Sequence, residues 1–297
     1  MLDDSLQPAH ARIWPCGIAI LLLLLLGLVG LAPADDTADS FQALQKRLID
    51  DGYDSDRIKT IFASPDVSFE KGGVSAYFMH NEAKLNYKQF TRIWSISSAR
   101  KYMQEHQEAL AFAENTFGVD KEVITAIILV ETKLGTYVGN KSVINTLATL
   151  SAMAAAEPRQ IIWENLPDND RRMSRPKFEK KADQKSSWAY RELKAFLTYT
   201  EKQGMDPTTI KGSYAGAMGI SQFMPSNIAP YGQDGNQDGK VDLFVHADAI
   251  SSVAGYLKHY GWKPGIARDQ AFKVVYHYNR SKYYVNTILD IAEKLKG

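Results

Sequence analysis

An almost wholly apolar stretch, residues 123–135, constrains the fold of this chain more than any other feature. Its sequence, VITAIILVETKLG, has only one polar residue, a threonine, before Glu131. A helix that is apolar on all sides is normally buried in a core. Gly135 is the predicted end of this helix, because glycine adopts the left-handed conformation at low cost. The sequence therefore predicts a core helix that carries Glu131 near its C-terminal end.

Glu131 is the residue of this stretch that indicates chemistry. On helical spacing, Ile124 and Ile127 lie on its face. Apolar surroundings disfavour the charged form of a carboxyl group, so we expect the pKa of Glu131 to rise. A carboxylic acid that keeps its proton near neutral pH can protonate a leaving-group oxygen. The alternative is a glutamate that has simply reached solvent at a helix end.

Composition excludes several functional classes. The 297 residues carry a formal net charge of +1, which is no electrostatic footprint for nucleic acid. The single cysteine, Cys16, excludes an internal disulfide framework and a cysteine metal site. We expect a monomeric protein with one large domain or two smaller ones.

The first 34 residues predict export. Residues 17–32 form a leucine-rich run of sixteen residues, which is short for a bilayer span. The sequence APA at 32–34 has small residues at the two positions that a signal peptidase reads, so we expect a signal peptide that is cut after Ala34. The alternative is an uncleaved anchor that tethers the protein to the membrane. Either way we expect the folded part to be periplasmic.

Helical spacing of apolar residues dominates the rest of the chain, and strand patterns are scarce. Two short helices broken at Gly52 and a long helix at 96–117 that ends at Gly118 are predicted before the Glu131 helix. Residues 157–185 are polar with three prolines, which favours a surface excursion with one helical piece. We predict a mainly α fold with an N-terminal helical lobe at 35–116 and a helical core at 117–297.

A second constellation, GSYAGAMGISQFMPS, occupies residues 212–226. Its small residues let backbone or ligand approach closely. Gln222 at its centre offers an acceptor and two donors, enough to hold a sugar hydroxyl or an N-acetyl group. The alternative is a tight packing corner between helices.

Residues 234–242, DGNQDGKVD, fit the first nine positions of an EF-hand calcium loop. The twelfth position is Val245, which cannot ligate a metal, and Asp248 follows three residues later. The alternative is a solvated turn rich in Asp, Asn and Gly. We expect a structural calcium ion in this loop and no cofactor for catalysis. The ligands predicted from the spacing are Asp234, Asn236, Asp238, Lys240 through its carbonyl and Asp242.

Five motifs in order carry a family resemblance: ETKLG, VINTLATL at 143–150, the segment 212–226, DAISSVAGYLKHYGW at 248–262, and Tyr278-Asn279. Together they resemble the membrane-bound lytic murein transglycosylase B family. The resemblance implies a lysozyme-like helical core that cleaves the β-1,4 bond between N-acetylmuramic acid and N-acetylglucosamine in peptidoglycan glycan strands. It also implies ring closure to 1,6-anhydromuramic acid ends, and a longer variant calcium loop in which Asp248 is the last acidic position.

The resemblance also assigns residue roles. Glu131 matches the family's single catalytic acid and base, and no second acid stands in a comparable motif. The residues that match substrate-binding positions are Tyr87, Ser213, Gln222, Tyr256, Tyr278 and Asn279. Residues 157–185 are longer than their counterpart in the family and receive no role. The competing functions are a muramidase on the same fold and a non-catalytic peptidoglycan-binding protein.

Overall fold

The computed structural model describes residues 40–79, 86–166 and 173–297. The predicted leader, residues 1–34, lies outside them. The described residues form thirteen α-helices, one short 3-10 helix and two strands of two residues each, which confirms the mainly α prediction. Among the described helices, none combines the length and the apolar character needed to cross a membrane.

The helices fall into two halves along the chain. The first half contains α1 (Gln42–Asp50), α2 (Ser55–Phe62), α3 (Lys71–Met79), the 3-10 helix (Tyr87–Thr91), α4 (Ile93–Glu105), α5 (Gln107–Phe117), α6 (Lys121–Thr132) and α7 (Val143–Ala152). The second half contains α8 (Ala156–Glu164), α9 (Arg175–Gln203), α10 (Pro225–Tyr231), α11 (His246–His259), α12 (Arg268–Tyr278) and α13 (Lys282–Lys296). Strand β1 (Lys141–Ser142) pairs antiparallel with β2 (Lys211–Gly212).

Helix α6 occupies the centre of the main hydrophobic core. It packs against α4, α5, α11 and α13, and every residue from Val123 to Leu129 is buried. The core extends along the chain from Phe41 to Leu295 and therefore draws on both the predicted N-terminal lobe and the predicted catalytic core. The division at residues 116 and 117 stays a prediction. The burial of α6 is what the apolar stretch predicted.

A second hydrophobic cluster lies between helices α3, α7, α8 and α9. It corrects the surface excursion predicted for residues 157–185, because the described part of this segment forms α8 and the first part of α9. Phe178 and Ala182, one helical turn apart, are fully buried on one face of α9. Pro176 stands in the first turn of α9, where a proline starts a helix rather than breaking it.

Two predicted helix boundaries also differ from the structure. The long helix predicted at 96–117 is divided at His106, whose backbone leaves the helical region with φ −113° and ψ 28°. The His106 ring stacks on the His246 ring at a centroid distance of 4.2 Å. Helix α6 ends at Thr132, three residues before the predicted stop at Gly135, because the backbone of Lys133 is already left-handed with φ 50°.

Candidate active site

Glu131 is the penultimate residue of α6, and the chain reverses sharply after it. Three successive residues, Lys133, Leu134 and Gly135, have positive φ angles of 50°, 63° and 82°. Non-glycine residues are uncommon in this region and persist where the surrounding structure holds them. Thr132 provides that restraint, because its Oγ1 donates to Ile220 O at 3.0 Å and accepts from Gly135 N at 3.0 Å.

Tyr284, on α13, is the residue that contacts the carboxyl group of Glu131. Its hydroxyl donates a hydrogen bond to Glu131 Oε1 at 2.6 Å. The Glu131 side chain is half-buried, whereas Tyr284 is only 2% exposed. Burial raises the pKa of Tyr284 well above its ordinary value, and the charge of Glu131 raises it further. The phenol therefore stays a hydrogen-bond donor at any physiological pH. The proton predicted on Glu131 stays a prediction.

Tyr278 lies at the end of α12, on the same side of the site. Its hydroxyl donates to Ser221 O at 2.5 Å. Burial raises its pKa well above the ordinary value, and the nearby charge of Glu131 adds to that effect. Within the described part of the chain, Glu131 is the one carboxylate whose charge acts on Tyr278. The Tyr278 hydroxyl therefore joins the end of α12 to the segment that contains Gln222.

Gln222 joins two loops of the site through its side-chain amide. Its Nε2 donates to Val138 O at 3.0 Å and to Gly219 O at 2.8 Å. Its backbone is left-handed with φ 50°, a strained conformation for a non-glycine residue. Both amide hydrogens are thus used by the protein, and Oε1 is the atom that remains for a ligand among the described contacts. The loop that follows Glu131 and the loop at 219–222 form one hydrogen-bonded unit.

Ser213 lies in a turn whose tightness explains the small residues around it. Its Oγ accepts from Ala217 N at 3.0 Å. A Cβ atom on Gly212 would lie 2.2 Å from Ala217 O, and one on Gly139 would lie 2.1 Å from Gly212 O. The close-packing interpretation of the segment at 212–226 is therefore correct for its glycines, and it does not exclude ligand binding by Ser213.

The remaining predicted substrate residues divide into two groups. The Tyr87 ring lies edge-on to Tyr284 at a centroid distance of 6.4 Å, and Asn279, directly after α12, is half-buried. Both lie close to residues that surround Glu131. Tyr256 is 5% exposed, and its hydroxyl donates to His277 O at 2.8 Å. It packs against Tyr278 inside an aromatic cluster, so its observed contacts are those of a core residue that supports Tyr278.

The predicted calcium loop is organised around the buried carboxyl group of Asp248. Asp248 accepts backbone N–H groups from Gly235 at 2.9 Å and from Asp242 at 2.7 Å. Burial raises the pKa of Asp248, its backbone hydrogen bonds lower it, and the charge of Asp234 raises it. Asp234 in turn accepts from Gly239 N at 2.8 Å. The loop is therefore held together by side-chain oxygens that bind its own amides.

The geometry alone does not assemble a metal site. Within the described residues, no group of three or more His, Cys, Asp or Glu side chains is arranged to hold a metal ion. The side-chain donors of the loop are nevertheless all oxygen atoms of the kind that calcium takes. The donor chemistry of the loop fits calcium, whereas its present hydrogen bonds are internal. The calcium ligands stay a prediction.

Comparison with known proteins decides the family. The profile described as "Transglycosylase SLT domain" matches residues 36–270, well over half of the chain. This chain belongs to the transglycosylase SLT domain family. The match includes Glu131, Ser213, Gln222 and Tyr256, and it ends before Tyr278.

Individual relatives place this SLT-domain chain more finely. It is 33% identical over 186 residues to membrane-bound lytic murein transglycosylase B of Escherichia coli strain K12. That match covers 62% of this chain and 44% of the E. coli protein, so the chain spans less than half the length of that relative.

Solved structures of lytic transglycosylases confirm the predicted lysozyme-like fold of this chain. The E. coli lytic transglycosylase SLT35 in complex with bulgecin A has a TM-score of 0.68 and 22% identity, and the match covers 86% of this chain and 92% of that one. Soluble lytic transglycosylase SltB1 of Pseudomonas aeruginosa also has a TM-score of 0.68, with 24% identity over 86% of this chain and 98% of that one.

Tyr284 is the residue of this SLT-domain site that the sequence did not reveal. In the sequence it stands beside Tyr283 in an amphipathic helix. Only the helical periodicity of the apolar residues can distinguish which of the two tyrosines faces the core. Tyr283 is 71% exposed, whereas Tyr284 is buried. Ser281 accepts a hydrogen bond from Tyr284 N and so fixes the first turn of α13. Ser281 is the N-cap residue of α13, and its position in the sequence was the signal that could have shown where the helix begins and hence that Tyr284 faces inward.

A separate cavity of about 720 Å³ lies behind this site. Its lining includes Leu129 and Lys133, which stand two residues before and two residues after Glu131. Leu129 and Glu131 are two positions apart in α6 and therefore point to different sides of the helix, so the wall of the cavity that Leu129 forms lies away from the Glu131 carboxyl group. The candidate active site is therefore the surface near Tyr278 and Tyr284 rather than this cavity.

Proposed function

We propose that the protein is a peptidoglycan lytic transglycosylase. It cleaves the β-1,4 bond between N-acetylmuramic acid and N-acetylglucosamine and leaves 1,6-anhydromuramic acid ends. The observation that carries the proposal is the contact between the Tyr284 hydroxyl and Glu131 Oε1, in a half-buried site at the end of a core helix. Membership of the transglycosylase SLT domain family and the E. coli relative's name support the reaction class.

Glu131 acts first as an acid and then as a base in this scheme. Its carboxyl proton passes to the glycosidic oxygen as the bond to C1 of the muramic residue breaks. The resulting carboxylate then takes the proton of the muramic O6 hydroxyl, and O6 bonds to C1. No water is consumed, and Glu131 regains its starting protonation state. One group can fill both roles because the two steps follow each other.

Tyr284 and Tyr278 hold the site for this chemistry. Tyr284 donates to Glu131, which orients one carboxyl oxygen and stabilises the carboxylate formed after the first step. Tyr278 is fixed on Ser221 O and places Asn279 at the edge of the site. Under this proposal, the residues that contact the glycan are Tyr87, Ser213, Gln222, Tyr278 and Asn279, while Tyr256 supports Tyr278 from the core.

Calcium has a structural role in the proposal. The residues that would hold it are Asp234, Asn236, Asp238, Asp242, Asp248 and the carbonyl of Lys240. The all-oxygen donor set supports this assignment. The E. coli relative SLT35, which has the same fold, has a structure described as a complex with calcium. The ion would neutralise the loop carboxylates and fix the connection between the Gln222 segment and α11.

The proposed location is the periplasm, with the leader at 1–34 removed or kept as an anchor, and the partner is the glycan strand. The relative SltB3 of Pseudomonas aeruginosa has a structure in complex with NAG-NAM-pentapeptide, which supports such a substrate. The test is digestion of purified sacculi followed by mass analysis of the products. A muramidase would give ends heavier by one water. A non-catalytic binding protein would give no products and no clearing in a zymogram.

A further inference from the structure

A cationic and aromatic edge continues from the candidate site towards α9. Tyr214 follows Ser213 in the chain, and its ring lies 5.8 Å from the Tyr77 ring, centroid to centroid. The Tyr77 hydroxyl accepts a hydrogen bond from Lys185 Nζ. We call Tyr77, Lys185, Trp188 and Tyr214 the Lys185 edge. It consists of residues from α3, α9 and the loop after β2. It connects the end of the segment at 157–185, which has no assigned role, to the Ser213 turn.

The ammonium group of Lys185 is fixed in place, and no carboxylate of the described residues neutralises it. Its Nζ lies 4.9 Å from the centroid of the Tyr77 ring and 5.0 Å from that of Trp188. A cation over aromatic faces is attracted to them and loses freedom of movement. Across the three described ranges, no carboxylate lies within salt-bridge distance of Lys185. The edge therefore presents an ordered positive charge that can pair with a ligand.

The same face of α9 carries more positive charge than helix stability favours. Lys177, Lys181 and Lys185 stand four residues apart, so they form a stripe along the helix. Burial lowers the pKa of Lys181, and the charges of Lys185 and Lys177 lower it further, which shows that the three groups act on one another. Like charges at this spacing destabilise a helix slightly, and a bound anion would relieve that repulsion.

Acidic residues of α9 are engaged elsewhere. Glu179 and Asp183 both form salt bridges with Arg159 of α8, at 2.8 Å and 2.5 Å. Lys181 is likewise directed into the protein, because its Nζ donates to Phe78 O at 3.1 Å. Lys185 is therefore the member of the stripe that contacts Tyr77, whose ring packs against Tyr214 next to Ser213.

We propose that the Lys185 edge binds the carboxylates of the peptides attached to the muramic acid residues of the glycan strand. The inference rests on the proposed function, since it takes the glycan strand as the substrate. Removal of the peptides leaves one lactyl carboxylate on each muramic residue, held close to the sugar ring, whereas a peptide-bearing strand carries several carboxylates that extend away from the sugars. The aromatic faces of Tyr77, Tyr214 and Trp188 suit the apolar parts of such peptides. The edge therefore selects glycan that has kept its peptides.

Binding to two forms of sacculi tests this inference. The full chain with the change Glu131→Gln binds without turning over. Co-sedimentation measures its affinity for intact sacculi, and isothermal titration measures its affinity for the soluble glycan that remains when an amidase removes the cross-linking peptides (stripped sacculi below). The further change Lys185→Met keeps the side-chain length and removes the charge. We expect it to weaken binding to intact sacculi about tenfold, the scale of one charge-assisted hydrogen bond, and to leave binding to stripped sacculi unchanged.

Two further variants separate recognition from structure. Lys180→Met removes a charge from the exposed side of the same helix and should change neither affinity. Lys185→Arg keeps the charge and should restore most of the preference for intact sacculi. Equal losses on both substrates, no loss on either, or no binding of the Glu131→Gln chain to intact sacculi would overturn the proposal.

Failure of the proposed function would look different. If the unchanged protein released no anhydro ends, the reaction would be wrong. The peptide-dependent difference between the Lys185 variant and its parent would still be measured, because binding needs no turnover.

Discussion

At the scale of single residues, the local sequence points to some residues of the candidate site, such as Glu131, and gives no sign of others, such as Tyr284. Glu131 stands out in the sequence because it is the first charged residue after the apolar run from Val123 to Val130. Tyr284 does not stand out, because the residue it binds lies 153 positions away and its neighbour Tyr283 has the same side chain. Tyr256 shows the reverse case, since a motif pointed to substrate binding while its hydroxyl is already bound to the backbone. Motifs locate a side chain, but only packing decides where it points.

The change Glu131→Gln should abolish activity while the fold stays intact. The amide is nearly the same shape as the acid but cannot give a proton to the leaving oxygen. General acid–base catalysis contributes about 10²–10⁴-fold, so the rate of sacculus cleavage should fall by at least that factor. Glu122→Gln, at the other end of α6, is the matched control and should keep full activity. A Glu131→Gln protein that cleaves at more than about a tenth of the parent rate would remove Glu131 from the acid role.

The change Tyr284→Phe should lower kcat with little effect on KM. It removes the donor to Glu131 Oε1 and keeps the ring in the core. One hydrogen bond to a charged group contributes about 1.5–3 kcal/mol, so we expect a loss of about ten- to a hundredfold in kcat. Tyr283→Phe, on the exposed neighbour, should have no effect. An active Tyr284→Phe protein with an unchanged kcat would show that the contact is structural only.

At the scale of helices and loops, the sequence predicted where helices end at glycines better than it predicted which helices pack together. Gly118 and Gly204 end their helices in the left-handed conformation, both with φ 67°, as glycines at that position should. Helix α6 ends earlier than predicted because Lys133 adopts the left-handed conformation. Hydrogen bonds of Thr132 with Ile220 and Gly135 hold this turn, and the local sequence gives no sign of them. Residues 157–185 were misjudged because their buried residues face a second cluster that is formed by distant helices.

The close approach of the loop at Gly139 to the backbone of Gly212 gives a prediction about the stability of the loops around the candidate site. Gly139 has φ 100°, and a Cβ there would lie 2.1 Å from Gly212 O. Gly139→Ala should therefore lower the thermal midpoint and the activity together. Gly52→Ala is the matched control, since Gly52 has φ 95° and nothing within 4 Å of the added atom. It should show only the left-handed penalty of about 1–2 kcal/mol. Equal melting curves for the two variants would contradict the close packing.

The calcium loop gives a prediction about metal removal. A ligand that binds only the folded state adds about 2.7 kcal/mol at a hundredfold excess over Kd, so calcium should raise the thermal midpoint and a chelator should lower it. Magnesium should substitute poorly, because it requires a smaller octahedral shell. Asp238→Ala should remove the calcium response and keep some activity at low temperature, and Asp56→Ala on α2 should keep the response.

Two results would exclude a structural calcium ion. The first is a melting curve that stays the same after verified metal removal. The second is activity that follows metal occupancy while the fold is intact.

At the scale of the whole molecule, the family motifs along the chain correspond to loops that the fold brings together. The loop after α6, the turn at 212–222 and the end of α12 are joined by hydrogen bonds from Thr132, Gln222 and Tyr278. The order of the motifs was therefore a good predictor of the fold class, whereas the roles of the site residues stay predictions. What it could not supply was the second hydrophobic cluster of α3, α7, α8 and α9, because helices that are distant in the sequence form it by packing together.

One measurement tests the central claim most directly, the masses of the glycan ends released from purified sacculi. Under our account, the protein releases muropeptides that end in 1,6-anhydromuramic acid and are lighter by one water than hydrolysis products. The Glu131→Gln protein, folded by the same criteria, releases none. Replacement of any other single carboxylate outside the calcium loop should leave this product pattern in place. Products with reducing muramic acid ends, or a folded and silent variant at a second carboxylate, would contradict the account and indicate a two-carboxylate hydrolase.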